Sequence, residues 1–178
     1  MSAGEGLVVR DERPEERGAV RALTLRAYAE YATVMAPAAW AGLDTAVRAA
    51  LDGDAGEQRI VAERGGELLG SVMLFASSTD AYGAAVGESA GEAAWPVLRL
   101  LAVSPEARGQ GVGQALVDEC VMRAREMGAA ELGLHSSESL RAAIRMYERM
   151  GFERAPERDF QPPGAELVMG FRLPLGAG

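Results

Sequence analysis

The stretch "LLAVSPEARGQGVGQALVDECV", residues 100–121, runs from an apolar β-type segment through a Pro to Gly109, Gly111 and Gly113, and then into a helical pattern. Glycine has no Cβ and enters left-handed backbone freely, so alternate glycines let several amide N–H groups converge on one concave site. A helix beginning at that point adds its own unpaired first amides and a partial positive charge. The chemistry favoured is the binding of a phosphate or pyrophosphate. Two familiar nucleotide loops are excluded. The G-x-G-x-x-G fingerprint fails because its third position is Gln114 counted from Gly111, and Leu116 counted from Gly113. The P-loop needs a Lys for the terminal phosphates, and all 18 basic residues of this chain are Arg.

The elements that must position this loop follow from periodicity. Leu7 to Arg10 reads as a short strand, and "DERPEE" suits the first turn of a helix whose apolar face is Val20, Leu23, Ala27 and Tyr31. Pro37 is expected to break that helix, with a second, shorter one running through Val47 to Leu51. Ile60 to Glu63 and Leu68 to Phe75 form a hairpin about Gly65-Gly66. Residues 78–94 are small, polar and glycine-containing, and read as a loop or disordered insertion. Val97 to Val103 is a strand, and Val112, Leu116, Cys120, Ala124 and Met127 are the apolar stripe of a helix that Gly128 ends. Glu131 to His135 is a strand, Leu140 to Met150 a helix, and "FERAPERDF" and "AELVMGFRLPL" a final strand pair around Pro162-Pro163. The alternation predicts one α/β domain over residues 1–178, a mixed twisted sheet with helices on both faces.

Composition sets the class. With 178 residues, 48% of them hydrophobic and 25% charged, the chain can bury one sizeable core. Asp plus Glu number 26 against 18 Arg, a net charge of −8, and no basic face is dense enough to track a nucleic acid backbone. No apolar run approaches a membrane span, and the N-terminus lacks the order of a signal peptide, so a cytoplasmic protein is expected. The single Cys, Cys120, lies on an apolar stripe as inert core and forms no internal disulfide. No metal site is expected, and the sequence is compatible with a homodimer without fixing one.

Two segments together resemble a known family. "LRLLAVSPEARGQGVGQALV" looks like the acyl-CoA loop of the GNAT superfamily of acetyl-CoA-dependent N-acetyltransferases, with R/Q-x-x-G-x-G/A met by Arg108, Gly111 and Gly113. "AAIRMYERMGF", with Tyr147 before Gly151-Phe152, is similar to that superfamily's second diagnostic segment, and the order and spacing agree. The resemblance implies two central strands splayed for the acyl-CoA arm and acetyl-CoA as cosubstrate. Backbone groups of Leu101, Ala102 and Val103 would pair with the pantetheine. Amides of Arg108, Gly109, Gln110, Gly111, Val112, Gly113 and Gln114 would cradle the pyrophosphate. Tyr147 would protonate the departing thiolate.

The implied reaction is attack by a primary amine of a small molecule or peptide on the acetyl group. A Lys-type amine is neutral in only about one molecule in 2,500 at pH 7, so a base is required. Many relatives carry a carboxylate on the central strand, but Val97 to Val103 has none. The base candidates are His135, Glu92 and Glu30. The second segment also departs from the family, with Leu140 beside Ser139 where an Asn is often found. Tyr28 and Trp40 are the candidate walls of an acceptor pocket, near Tyr31 and Met35. A non-catalytic acyl-CoA sensor is the alternative, because it would keep the glycines and need neither Tyr147 nor a base.

Overall fold

A computed structural model describes residues 6–83 and 94–176. Its frame is a seven-stranded sheet in the order β1-β2-β3-β4-β5-β7-β6. The strands are β1 (Val8–Asp11), β2 (Gln58–Arg64), β3 (Glu67–Phe75), β4 (Val97–Val103), β5 (Glu131–Ser137), β6 (Glu153–Arg154) and β7 (Val168–Pro174). Every pairing is antiparallel except β4 with β5. The helices are α1 (Arg17–Tyr28), α2 (Pro37–Asp52), α3 (Ser78–Tyr82), α4 (Val112–Glu126) and α5 (Arg141–Arg149). No helix among the described residues is long and apolar enough to cross a membrane.

The alternation of side chains along the strands divides the core in two. On one face Leu98, Leu132, Leu134 and Phe171 meet Val112, Leu116, Val117 and Cys120 of α4 and Tyr147 of α5. On the other Met73, Phe75, Val97, Leu100 and Ala102 meet Leu23, Ala27 and Tyr28 of α1 and Val47 and Leu51 of α2. Each large apolar side chain so buried contributes about 1.5–3 kcal/mol, which fixes the register of strands carrying opposite faces.

Four segments differ from the sequence reading. Helix α2 has 16 residues because Pro37 sits at its first position, where a missing N–H costs nothing, and so starts the helix instead of merely ending the one before. Helix α1 stops at Tyr28, and a 3-10 turn, Ala29–Thr33, carries the chain past Tyr31. Within the expected loop 78–94, Ser77 caps α3 by accepting from the Asp80 amide. Strand β6 is only two residues long, since Pro156 opens a 3-10 turn, Pro156–Arg158, inside the segment read as a strand.

Candidate active site at the parting of two strands

Strands β4 and β5 share a single register pair, Val97 with Gly133, supported by the Gly133 amide donating to the Pro96 carbonyl at 2.9 Å. Beyond it they part. The outer neighbours stay paired, β3 with β4 up to Gly70 and Val103, and β5 with β7 along its whole length. The β3–β4 ladder slips between Ser71 and Met73, and Leu100 at φ 52° is the one described non-glycine residue with positive φ. Such a bulge turns a strand away from its partner, which leaves Leu101, Ala102 and Val103 with a free edge facing the gap.

At the end of β4 lies the glycine loop. Gly109 (φ 73°) and Gly111 (φ 79°) are left-handed, with nothing within 4 Å of an added Cβ, so their requirement is conformational. Gly113 is crowded on one side, since its Cβ would stand 3.3 Å from Met146 Sδ and in ordinary contact, 3.5 Å, with Val103 Cγ2. No side chain caps α4 at Gly111, and its first closing bond is the Ala115 amide to the Gly111 carbonyl at 3.0 Å. Among the described residues the amides of Gly109, Gln110, Gly111, Val112, Gly113 and Gln114 reach no acceptor. A run of unpaired amides at the start of a 15-residue helix is a site for an anion. Arg64 holds Gln110 Oε1 at 2.7 Å, and Arg108 is ion-paired with Glu30 at 2.5 Å, so that base candidate is committed to a guanidinium.

The chain has four tyrosines, Tyr28, Tyr31, Tyr82 and Tyr147. Tyr28 and Tyr31 meet edge to face at 5.7 Å. Tyr147, from the α4–α5 layer, is buried and packs edge to face on Phe152 at 5.6 Å. Burial raises its phenol well above the ordinary value, and Tyr28, Tyr31 and Tyr82 from the opposite layer add to the effect. The same dryness pushes the Cys120 thiol up to about 12, in keeping with an inert core residue. Trp40 is half-buried in the first turn of α2, and no ring contact among the described residues joins it to the tyrosines. Glu92 lies outside the described residues.

His135 stands on the separated end of β5. Its ring packs edge to face on Tyr82 at 4.7 Å and on Phe160 at 5.2 Å. Nε2 is 2.9 Å from the Arg158 carbonyl, which can only accept, so Nε2 carries the proton. Nδ1 is buried and has no partner. Burial first, then the Arg158 and Arg99 charges, hold the imidazole below its ordinary value of 6.5 against the pull of the Arg158 carbonyl and Asp159. A neutral ring of this tautomer presents a bare lone pair at Nδ1.

The sequence reading missed Tyr82 and Arg99. Tyr82 fell in the stretch read as a loop. Arg99 is a lone charge in the apolar strand "VLRLLAV", a signal that was there to be read. Its guanidinium lies 4.6 Å above the Tyr82 ring, and Nη1 donates to the Ala81 carbonyl at 2.5 Å. At the other end of the sheet a cleft of about 530 Å³ is lined by Asp11, Glu12, Arg17, Glu57, Arg59 and Arg123. Those charges close on one another, as in Arg59–Glu57 at 2.6 Å and Arg123–Asp11 at 2.6 Å, and none is left for a ligand.

Comparison with known proteins gives a consistent outcome. The sequence model of the acetyltransferase (GNAT) family matches residues 22–152. A mycothiol acetyltransferase of Cellulomonas flavigena is 33% identical over 108 residues, 60% of this chain and 30% of that protein. The [ribosomal protein bS18]-alanine N-acetyltransferase of Escherichia coli is 35% identical over 78 residues, 42% of this chain and 53% of that protein. The match thus spans about a third to a half of these relatives. The crystal structure of the E. coli ribosomal-protein-S18-alanine N-acetyltransferase superposes with a TM-score of 0.64 at 19% identity, covering 97% of this chain and 96% of that one. A GNAT family acetyltransferase from Brucella melitensis, solved with acetyl-CoA, gives 0.57 at 22% identity, with 97% and 90% covered.

Proposed function

The chain belongs to the acetyltransferase (GNAT) family, an acyltransferase family whose cosubstrate is acetyl-CoA, and we propose that it acetylates a primary amine of a small molecule or peptide by direct attack. The observation that carries this reading is the parting of β4 and β5, with acceptor-free amides from Gly109 to Gln114 at its mouth and His135 on the separated part of β5. The amides hold the pyrophosphate, each such bond to a charged oxygen being worth about 1.5–3 kcal/mol. The free edge of Leu101 to Val103 takes the pantetheine amides. Tyr28 and Trp40 wall the acceptor side.

His135 Nδ1 has no solvent exposure in this structure; it takes one proton from the acceptor ammonium once the bound acceptor or one water reaches it, and frees the nitrogen lone pair for attack. Tyr147 gives its phenolic proton to the sulfur as the bond to carbon breaks. Its raised pKa keeps it protonated, and a thiolate formed in the same dry surroundings is penalised in turn, so the proton has a strong acceptor. The nitrogen loses a second proton as the tetrahedral intermediate collapses to the amide; that proton restores the Tyr147 phenol, and the one held by His135 leaves to solvent.

Release of free thiol from acetyl-CoA on addition of an amine panel is the direct test. Tyr147→Phe keeps the ring and loses the proton, so turnover should fall about 100- to 10,000-fold with acetyl-CoA affinity unchanged. Turnover within about threefold of wild type would make the phenol a packing residue.

A further inference from the structure

The gap described above has an unusual charge for an acidic protein. Arg99 is half-buried on β4, and its charge acts on both Tyr28 and His135, which places it between α1 and the end of β5. Among the described residues no carboxylate pairs with it; the other arginines without an acidic partner are Arg64, which holds Gln110, and the exposed Arg125, Arg145 and Arg149. Three acids of the described residues have other partners. Glu30 is on Arg108, Glu166 accepts from the Ser139 hydroxyl at 2.5 Å, and Asp159 is on Arg154 at 2.8 Å.

The guanidinium is oriented as well as unpaired. Nη1 is fixed by the Ala81 carbonyl and the plane is fixed by Tyr82 beneath it. Neither Nε nor Nη2 has a partner, and neither is closed off from solvent as the unpaired nitrogens of Arg158 are. Nε–H and Nη2–H lie along one edge, the parallel pair of donors that grips a carboxylate at two points. A polycationic acceptor would be repelled by this charge. An acceptor carrying its own anion would be drawn to it, with its amine on the His135 side.

We propose that Arg99 binds a carboxylate of the acceptor, so that the substrate class is an amino acid or another small amine bearing a carboxylate. This rests on the acetyl-transfer reading above and narrows it. The pairing does a second service there: it offsets the acceptor carboxylate, whose charge would otherwise favour the ammonium over the neutral amine.

The test separates the two readings. Binding of N-acetyl-L-phenylalanine, N-acetyl-L-leucine and N-acetyl-L-alanine to CoA-loaded protein is measured by calorimetry beside that of the corresponding carboxamides. At least one acid should bind about tenfold or more tightly than its amide, and Arg99→Met should erase the difference while leaving CoA affinity unchanged. Equal binding of acid and amide in wild type, absence of binding by all three acids, or equal losses for acid and amide in Arg99→Met would overturn the carboxylate site. The wild-type comparison stands even if the variant fails to fold. Thiol release is followed with the free amino acids and with phenethylamine. Acid preference without thiol release from any amine keeps the Arg99 site and removes the acetyl-transfer reading. Thiol release from phenethylamine equal to that from phenylalanine, with no acid preference, does the reverse.

Discussion

His135 shows how much of a side chain's role is set by its partners and how little by its type. The Arg158 carbonyl fixes the tautomer, Tyr82 and Phe160 hold the ring on two sides, and Nδ1 is left without a partner. The charged groups facing it are Arg99, Arg158 and Asp159, and with burial their balance keeps it neutral below 6.5. Two consequences follow for pH. The acid limb of kcat/KM should have its midpoint below 6.5, and His135→Gln, which can still donate to the Arg158 carbonyl, should abolish that limb and lower the rate about 100- to 10,000-fold. A limb that survives in the variant would assign the base elsewhere. In stability, the unfolded chain takes up the proton first as pH falls, so the contribution of this residue is complete above 6.5 and is lost as pH drops toward the lower folded value. The difference in melting temperature between wild type and His135→Gln, followed from pH 7.5 to 5 as a chosen range, reads that loss.

At the scale of elements, what was legible in the sequence is what depends on local pattern. The β4–loop–α4 unit and the α5 segment stand where periodicity and glycine spacing put them, because apolar repeats and backbone freedom are local properties. The separation of β4 from β5 is not local. It comes from a bulge at Leu100 and from a ladder reduced to one pair, and nothing in "VLRLLAV" announces a positive φ at a leucine. Helix α2 was legible only in its second half, since the same Pro37 ends one helical pattern and begins the next. The glycines themselves divide into two kinds, which predicts two kinds of mutant. Gly111→Ala meets no neighbour and should cost about 1–2 kcal/mol of stability through its left-handed backbone, with acetyl-CoA binding weakened as the amides turn. Gly113→Val has an ordinary helical backbone but brings extra methyls into the crowded side against Met146, and should lose stability by overpacking, about 1–3 kcal/mol. Denaturant melts paired with acetyl-CoA titrations distinguish them. Equal effects of the two on affinity per unit of lost stability would deny Gly111 its special place in the cradle.

For the whole molecule the question is how a chain with a net charge of −8 holds a polyanionic cosubstrate. Long-range electrostatics oppose the encounter, and exposed arginines such as Arg108, Arg141 and Arg145 are either paired with acids or spread on the surface. The short-range attraction comes from amide dipoles at the start of α4, whose strength lies in fixed geometry and which salt screens weakly at contact distance. Binding to the folded state alone at 100 times the dissociation constant contributes about 2.7 kcal/mol, or roughly 5–11 °C in melting temperature for a domain of this size. Acetyl-CoA should therefore raise the melting temperature by that amount. Because the amides are local and the net repulsion is long-ranged, the shift should persist when salt is raised to about 0.5 M, where the Debye length is only a few ångströms. A shift that vanished with salt would transfer the binding to the surface arginines, and no shift at saturating acetyl-CoA would remove the cradle from the loop altogether.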